Sequence, residues 1–249
     1  MDQSPPLFGW LFEVVGPALW VALAAFFTYT CVKRKELTVP TLVFIGGSTM
    51  WWQEWYGDWG AYVLYNPHLA LIPGYDWPLT GPNKPWAVIP AYGWFYAMVY
   101  FPVIFVCKKV HDRYFSTAPF WVVAVAISLP LFYLWDLLIE GGASVLGIWS
   151  YVDFVGPAME SSRGNFPLLY PVITFSAMMT ITLLVIAAKT PQGTPLVESW
   201  SRVDRLQGTA RAIGRITTWI VTMNLCYLIF IVPTVLIRLA FLPPNTLVP

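Results

Sequence analysis

Six predominantly apolar runs, each long enough to cross a hydrocarbon core of about 30 Å, constrain this chain more than any single motif does. They cover approximately residues 7–31, 37–59, 88–107, 120–139, 167–188 and 213–241. In lipid every backbone N–H and C=O needs a partner, and an isolated apolar run finds those partners by becoming an α-helix. The expected fold is an all-α integral membrane protein, a bundle of about six transmembrane helices forming a single domain over residues 1–249. Composition agrees: 57% of residues are hydrophobic, 11% are charged and the mean hydropathy is +0.62, far from soluble globular averages. A net charge of +1 offers no electrostatic footprint for nucleic acid. The partners to expect are membrane lipids and a lipophilic small molecule.

Basic residues orient the bundle. Lys33, Arg34 and Lys35 follow the first run, Lys108, Lys109 and Arg113 follow the third, and Lys189, Arg202, Arg205, Arg211 and Arg215 surround the last connection. Only Lys84, Arg163 and Arg238 fall on the other side. Basic loops favour the cytoplasm, so both termini are expected to be non-cytoplasmic. The start, residues 1–6, lacks the basic region of a secretory signal, and the first run is expected to be retained. Cys31, Cys107 and Cys226 lie in or beside apolar runs without metal-binding spacing and read as buried free thiols.

The second run closes on Trp51-Trp52-Gln53-Glu54-Trp55-Tyr56-Gly57-Asp58-Trp59. On a helix, residues four apart lie about 40° from each other, so Glu54 and Asp58 share a face, and Trp51, Trp55 and Trp59 form the neighbouring stripe. The fourth run ends similarly, with Trp135-Asp136 and Glu140 repeating that spacing, and Pro130 inside the run is expected to kink it. Between the second and third runs, residues 61–86 are dense in Pro, Gly and Asn, yet carry Tyr65, Tyr75, Trp77 and Trp86. Such a stretch reads as a long ordered loop packed down over the bundle, in the manner of a lid.

A carboxylate at the centre of a membrane helix costs about 2.5–3.5 kcal/mol on insertion scales, so Glu54, Asp58, Asp136 and Glu140 call for a reason to be there. If they converge, burial and mutual repulsion disfavour full ionisation, and a protonated acid then stands beside an ionised one. That pairing is what general acid–base chemistry requires. Aromatic faces would stabilise a cationic intermediate, and the candidate substrate-binding residues are Trp51, Trp55, Trp59, Trp77, Trp135, Trp149, Tyr151 and Asn224. Two plainer readings stand beside this one. The tryptophans also fit an interfacial belt, and Asp58 and Glu140 also fit solvated charges at helix ends.

Other chemistries lack their motifs. There is no GxSxG elbow, no phosphate-binding glycine loop and no HExxH. His68 and His111 fall in loops on opposite sides of the expected membrane, which excludes a di-histidine site within one subunit; a carboxylate-only site stays open but an aromatic-lined apolar cleft suits a hard cation poorly, and no metal and no cofactor is expected. A non-enzymatic lipophile-binding or transport subunit remains the competing class, since intramembrane acids also carry protons.

Trp135 to Glu140, then Gly147-Ile148-Trp149-Ser150-Tyr151 and Phe166-Pro167-Leu168-Leu169-Tyr170-Pro171, together with Trp51-Trp52-Gln53-Glu54 and the segment Tyr65-Asn66-Pro67 to Ile72-Pro73-Gly74, resemble the AveC-like spirocyclases of actinobacteria. The resemblance spans about residues 40–240. It implies a bacterial cytoplasmic-membrane protein of natural-product biosynthesis that closes a spiroketal from a dihydroxy ketone, or dehydrates it, through an oxocarbenium-like species. A weaker likeness is to the small integral-membrane cyclases of terpene and meroterpenoid pathways, and it implies cyclisation begun by protonating an epoxide or alkene. On depth and spacing alone, and not on either likeness, Glu54 and Asp136 are the first candidates for the acid–base pair, with Asp58 and Glu140 tuning them.

Overall fold

The computed structural model describes residues 5–74 and 77–249; Tyr75 and Asp76 of the long loop lie outside the described residues. The chain is an all-α membrane bundle. Its helices are α1 (Leu11–Arg34), α2 (Val39–Ser48), α3 (Trp51–Ala61), α4 (Val88–Tyr114), α5 (Phe120–Leu146), α6 (Val172–Ala187), α7 (Leu196–Trp200) and α8 (Gly208–Phe241). Four of them, α1, α4, α5 and α8, are long and apolar enough to cross a membrane by length and composition. The other apolar helices are shorter: α6 has 16 residues and α2 has 10.

Every expected apolar run therefore contains helix, with two corrections to the boundaries. The run over 37–59 is not one continuous span. It breaks at Thr49 and Met50, where the Thr49 hydroxyl donates to the Gly46 carbonyl at 2.7 Å and accepts from Asn224 Nδ2 at 2.9 Å. A threonine bonded this way competes with the helical ladder, and α3, which restarts at Trp51, is tied to α8 by Gln53 Nε2 donating to Asn224 Oδ1 at 2.6 Å. The fifth run does not begin its helix at Pro167. Residues Asn165–Pro167 are extended, and α6 starts only at Val172.

Small residues let the helices close. A Cβ on Gly46 would stand 2.7 Å from Met223 Cγ and 2.8 Å from the Trp219 carbonyl, so α2 and α8 meet backbone to side chain along that line. Around them lies one continuous core that includes Trp55, Tyr96, Tyr100, Phe132, Met178, Met179 and Trp219. By contrast α1 is peripheral: its buried residues are Gly16 and Phe27.

Two short antiparallel ribbons cover one end of the bundle and were not expected from the apolar pattern. In the first, β1 (Val63–Tyr65) pairs with β2 (Trp149–Tyr151) in the register Val63 to Tyr151 and Tyr65 to Trp149. In the second, β3 (Ala158–Glu160) pairs with β4 (Asn165–Pro167). The 61–86 loop packs down where it is described: Tyr65 and Leu69 are buried, Asn66 Nδ2 donates to the Gly147 carbonyl at 2.9 Å, and Gly81 N–H donates to the Trp55 carbonyl at 2.8 Å. Trp77, Leu79 and Trp86 of the same loop are exposed.

Two polar clasps tie the helices, one around Glu198 and one beside the first ribbon. Glu198 of α7 is buried and accepts from Arg215 Nε at 2.8 Å and from Trp219 Nε1 at 2.9 Å, while Arg215 Nη1 donates to the Leu37 carbonyl at 2.6 Å. Arg238, near the end of α8, lies 3.8 Å from the centre of the Trp59 ring and 3.9 Å from that of Tyr62, and donates to the carbonyls of Trp59 and Val248. The three cysteines are free; Cys107 and Cys226 are buried and Cys31 is half-buried.

Candidate functional site

A cavity of about 130 Å³ opens beneath the β1–β2 ribbon. It has room for several waters, since one needs roughly 10–15 Å³ measured this way. Two of its walls are acidic. From α3 come Glu54, Gly57 and Asp58, one helical turn apart on one face, and from α5 come Asp136, Ile139 and Glu140. The four carboxylates named from their spacing thus line one space, contributed by two helices far apart in sequence. Asp58 and Asp136 are 5% and 3% exposed, whereas Glu54 and Glu140 keep intermediate exposure on the cavity wall.

The α5 wall has an irregular backbone. Residues Leu137–Gly141 form a single π-helical turn between the α-helical stretch ending at Asp136 and the last turn, Gly142–Leu146. The wider turn carries Ile139 and Glu140 and continues the cavity-facing surface that Asp136 begins; such turns are rare and recur at functional sites.

Glu54 is the one carboxylate of the four that hydrogen bonds hold in place, among the described residues. Tyr92 of α4 and Tyr227 of α8 both donate to its Oε2, the latter at 2.5 Å, and the two tyrosine oxygens are 2.6 Å apart. Three helices therefore meet at one carboxylate oxygen. Gly57 makes this approach feasible, because a Cβ there would stand 3.1 Å from the Phe230 ring on α8.

The remaining lining is aromatic and aliphatic. Tyr92, Phe95 and Tyr96 come from α4, Phe175 from α6, and Tyr227 and Phe230 from α8. Phe95 and Phe175 ring centres lie 6.1 Å apart, and Phe175 meets Phe230 edge to face at 5.7 Å. The ribbon adds Val63, Tyr65, Trp149 and Tyr151 as a roof. Burial, reinforced by the nearby carboxylates, holds the Tyr65 and Tyr151 hydroxyls well above the ordinary tyrosine range, so both remain protonated donors.

The structure redistributes the expected aromatic residues. Trp149 and Tyr151 line the cavity; Trp51, Trp55, Trp59, Trp77, Trp135 and Asn224 do not. Trp51 stands edge to face with Trp55, which is fully buried in the core. Trp59 stacks on Arg238, and its indole donates to the Pro249 carbonyl at 2.5 Å. Trp77 is exposed on the loop. Trp135 packs on Phe95, one layer behind the wall. Asn224 braces the α2–α3 break. Neighbouring stripes of one helix point to different partners: along α3 the acids turn inward while the tryptophans pack away from the cavity.

Tyr92 and Tyr227 hold Glu54 and are not among the expected site residues, although Tyr227 lies three residues from Asn224, on the same helix face, where the sequence suggests interhelical hydrogen bonding. A signal existed in the pair Tyr92 and Tyr96, two hydroxyl-bearing residues four apart inside an apolar run. No group of three or more His, Cys, Asp or Glu residues among those described has metal-binding geometry.

No curated protein and no solved structure matches the chain. A family model described as "Spirocyclase AveC-like" matches residues 33–247. That match runs from the end of α1 to the tail after α8 and takes in both acidic walls, the aromatic lining and the ribbon; the chain belongs to the AveC-like spirocyclase family.

Proposed function

We propose that this cavity catalyses acid–base cyclisation of an oxygenated lipophile, closing a spiroketal from a dihydroxy ketone with loss of water. The observation that carries the reading is the meeting of Glu54 and Asp58 with Asp136 and Glu140 in one aromatic-walled space. Acids alone would suit proton conduction, and aromatic rings alone would suit a greasy ligand. Their combination suits a reaction that moves protons around a cation.

Glu54, bridged by two tyrosine hydroxyls, begins as the ionised base, and Asp136 across the cavity begins as the acid. In the first half, one substrate hydroxyl adds to the ketone carbon, Glu54 takes its proton, and Asp136 protonates the carbonyl oxygen to give a hemiketal. In the second half, Glu54 returns its proton to the hemiketal hydroxyl and water leaves, forming an oxocarbenium ion. The second hydroxyl then attacks that carbon and Asp136 takes its proton. One C–O bond forms in each half, one breaks, a single water is released, and both carboxyl groups recover their starting states. The faces of Phe95, Phe175, Phe230 and Tyr96 offer the cation about 0.5–2 kcal/mol per desolvated contact. Asp58 and Glu140 set the charge around the pair.

The positive loops at the ends of α1 and α4 favour the cytoplasm, so the cavity lies in the outer half of the membrane, with both termini non-cytoplasmic. Purified protein in lipid nanodiscs given a lipophilic dihydroxy ketone tests the reading. Spiroketal should accumulate with wild type and fall to background with Glu54→Gln; equal accumulation in the two would remove the proposal.

A further inference from the structure

A second cavity, of about 260 Å³, adjoins the first and shares Phe12, Ala91, Trp94, Ile139 and Trp149 with it. No ionisable side chain lines it. Its far side is built from Leu11 and Val15 of α1 and from Leu138, Gly142 and Leu146 of α5. Both π-helical turns among the described residues, Leu11–Val15 and Leu137–Gly141, contribute to it. Its rim is open to the apolar surface of the bundle, where Phe8 is 56% and Leu138 72% exposed.

Two indoles on the shared wall have unmet needs. Trp94 Nε1 and Trp149 Nε1 are buried without a hydrogen-bond partner, and Trp149 as a whole is only 7% exposed. A buried donor left unmade is destabilising, so both await an acceptor. An aliphatic ligand alone would not supply one, but a molecule that is oxygenated where the cavities meet would.

We propose that the second cavity is the subsite for the hydrocarbon tail of the substrate, reached sideways from the bilayer between α1 and α5, with a substrate oxygen at the junction accepting from Trp149 and Trp94. The substrate class is thus an amphiphile with a long apolar tail attached to its oxygenated, cyclising part. This rests on the cyclase reading for the polar half, whereas the tail subsite stands on the geometry of the second cavity. The marginal packing of α1, with two buried residues along its length, gives the tail a wall that can yield.

Gly142 provides the probe. A Cβ there meets nothing within 4 Å, so a large side chain enters the second cavity without touching an acid. Dihydroxy ketones with short and long n-alkyl tails are assayed with wild type and Gly142→Phe in nanodiscs. For wild type, kcat/KM referred to the ketone concentration in the bilayer should hold or rise as the tail lengthens until the cavity is full, because lipid and cavity are similarly apolar. In Gly142→Phe the long-to-short ratio should fall about tenfold or more, a ratio that a partly inactive preparation does not alter. A second measurement needs no turnover: a dihydroxy ketone whose tail ends in a diazirine is photolysed with wild type, and the labelled peptides are mapped. Label in residues 8–19 and 138–146, displaced in Gly142→Phe, supports the subsite even if no ketone is cyclised, in which case the cyclase reading falls alone. Label confined to other regions, or an unchanged long-to-short ratio, overturns the subsite.

Discussion

The hydroxyl oxygens of Tyr92 and Tyr227 lie 2.6 Å apart, and both hydroxyls address the same oxygen of Glu54. A carboxylate tethered on one oxygen presents the other to the cavity in a defined direction. Hydrogen bonds to a charged group contribute about 1.5–3 kcal/mol, so Tyr92→Phe and Tyr227→Phe should each lower kcat about tenfold to a hundredfold with little change in KM. Because the two hydroxyls share one acceptor, their effects should not add, and a double-mutant cycle of kcat should show that coupling. Independent, additive losses would mean that the tyrosines act elsewhere.

An acid and a base acting together give a bell-shaped profile of kcat/KM against pH. The acidic limb reports protonation of the base, and the alkaline limb reports ionisation of the acid. Asp136→Asn should abolish the alkaline limb in whatever residual activity remains, and Glu54→Gln the acidic one. Profiles of unchanged shape in both variants would separate the limbs from these residues.

Buried Glu198 pairs with half-buried Arg215 away from the cavity, and the pair is tied also to Trp219 and the Leu37 carbonyl. Removing one partner of a buried pair leaves the other uncompensated, at a cost of about 3–5 kcal/mol. Glu198→Ala should lower the thermal midpoint of detergent-solubilised protein by far more than any substitution of an exposed residue. Fluorescence-detected size-exclusion after heating measures this, and an unshifted midpoint would contradict the buried clasp.

At Gly46 an added Cβ meets Met223 Cγ at 2.7 Å and the Trp219 carbonyl at 2.8 Å. One of those neighbours is backbone and cannot turn aside. Gly46→Ala should therefore destabilise the α2–α8 contact by about 1–3 kcal/mol, read by the same heating assay; a neutral result would show that α8 can shift without cost.

These outcomes also mark what was legible in the amino-acid sequence. Hydropathy located the helices because lipid leaves an apolar run few alternatives, and the four-residue spacings located the acids because a helix converts spacing into a shared face. The α2–α3 break was not legible: Thr49 carries no proline-like signature, and its bond to Asn224 joins residues 175 apart. The ribbon was equally hidden, since Tyr65 and Trp149 become partners only once α3 and α5 end side by side. Tryptophans proved a poor guide to the lining. A large ring suits a core, a cation or an exposed loop equally well, and Trp55, Trp59 and Trp77 take these different places. The lining fell instead to Tyr92, Tyr96, Phe95, Phe175 and Phe230, which come from three helices and share no motif.

The most direct test is product formation from a lipophilic dihydroxy ketone by Glu54→Gln and Asp136→Asn, each in lipid nanodiscs and each verified as folded by its thermal midpoint. The account predicts that either change lowers kcat at least about a hundredfold, in line with the loss of a general acid or base, while substrate still binds. Folded variants that form spiroketal at the wild-type rate would contradict it.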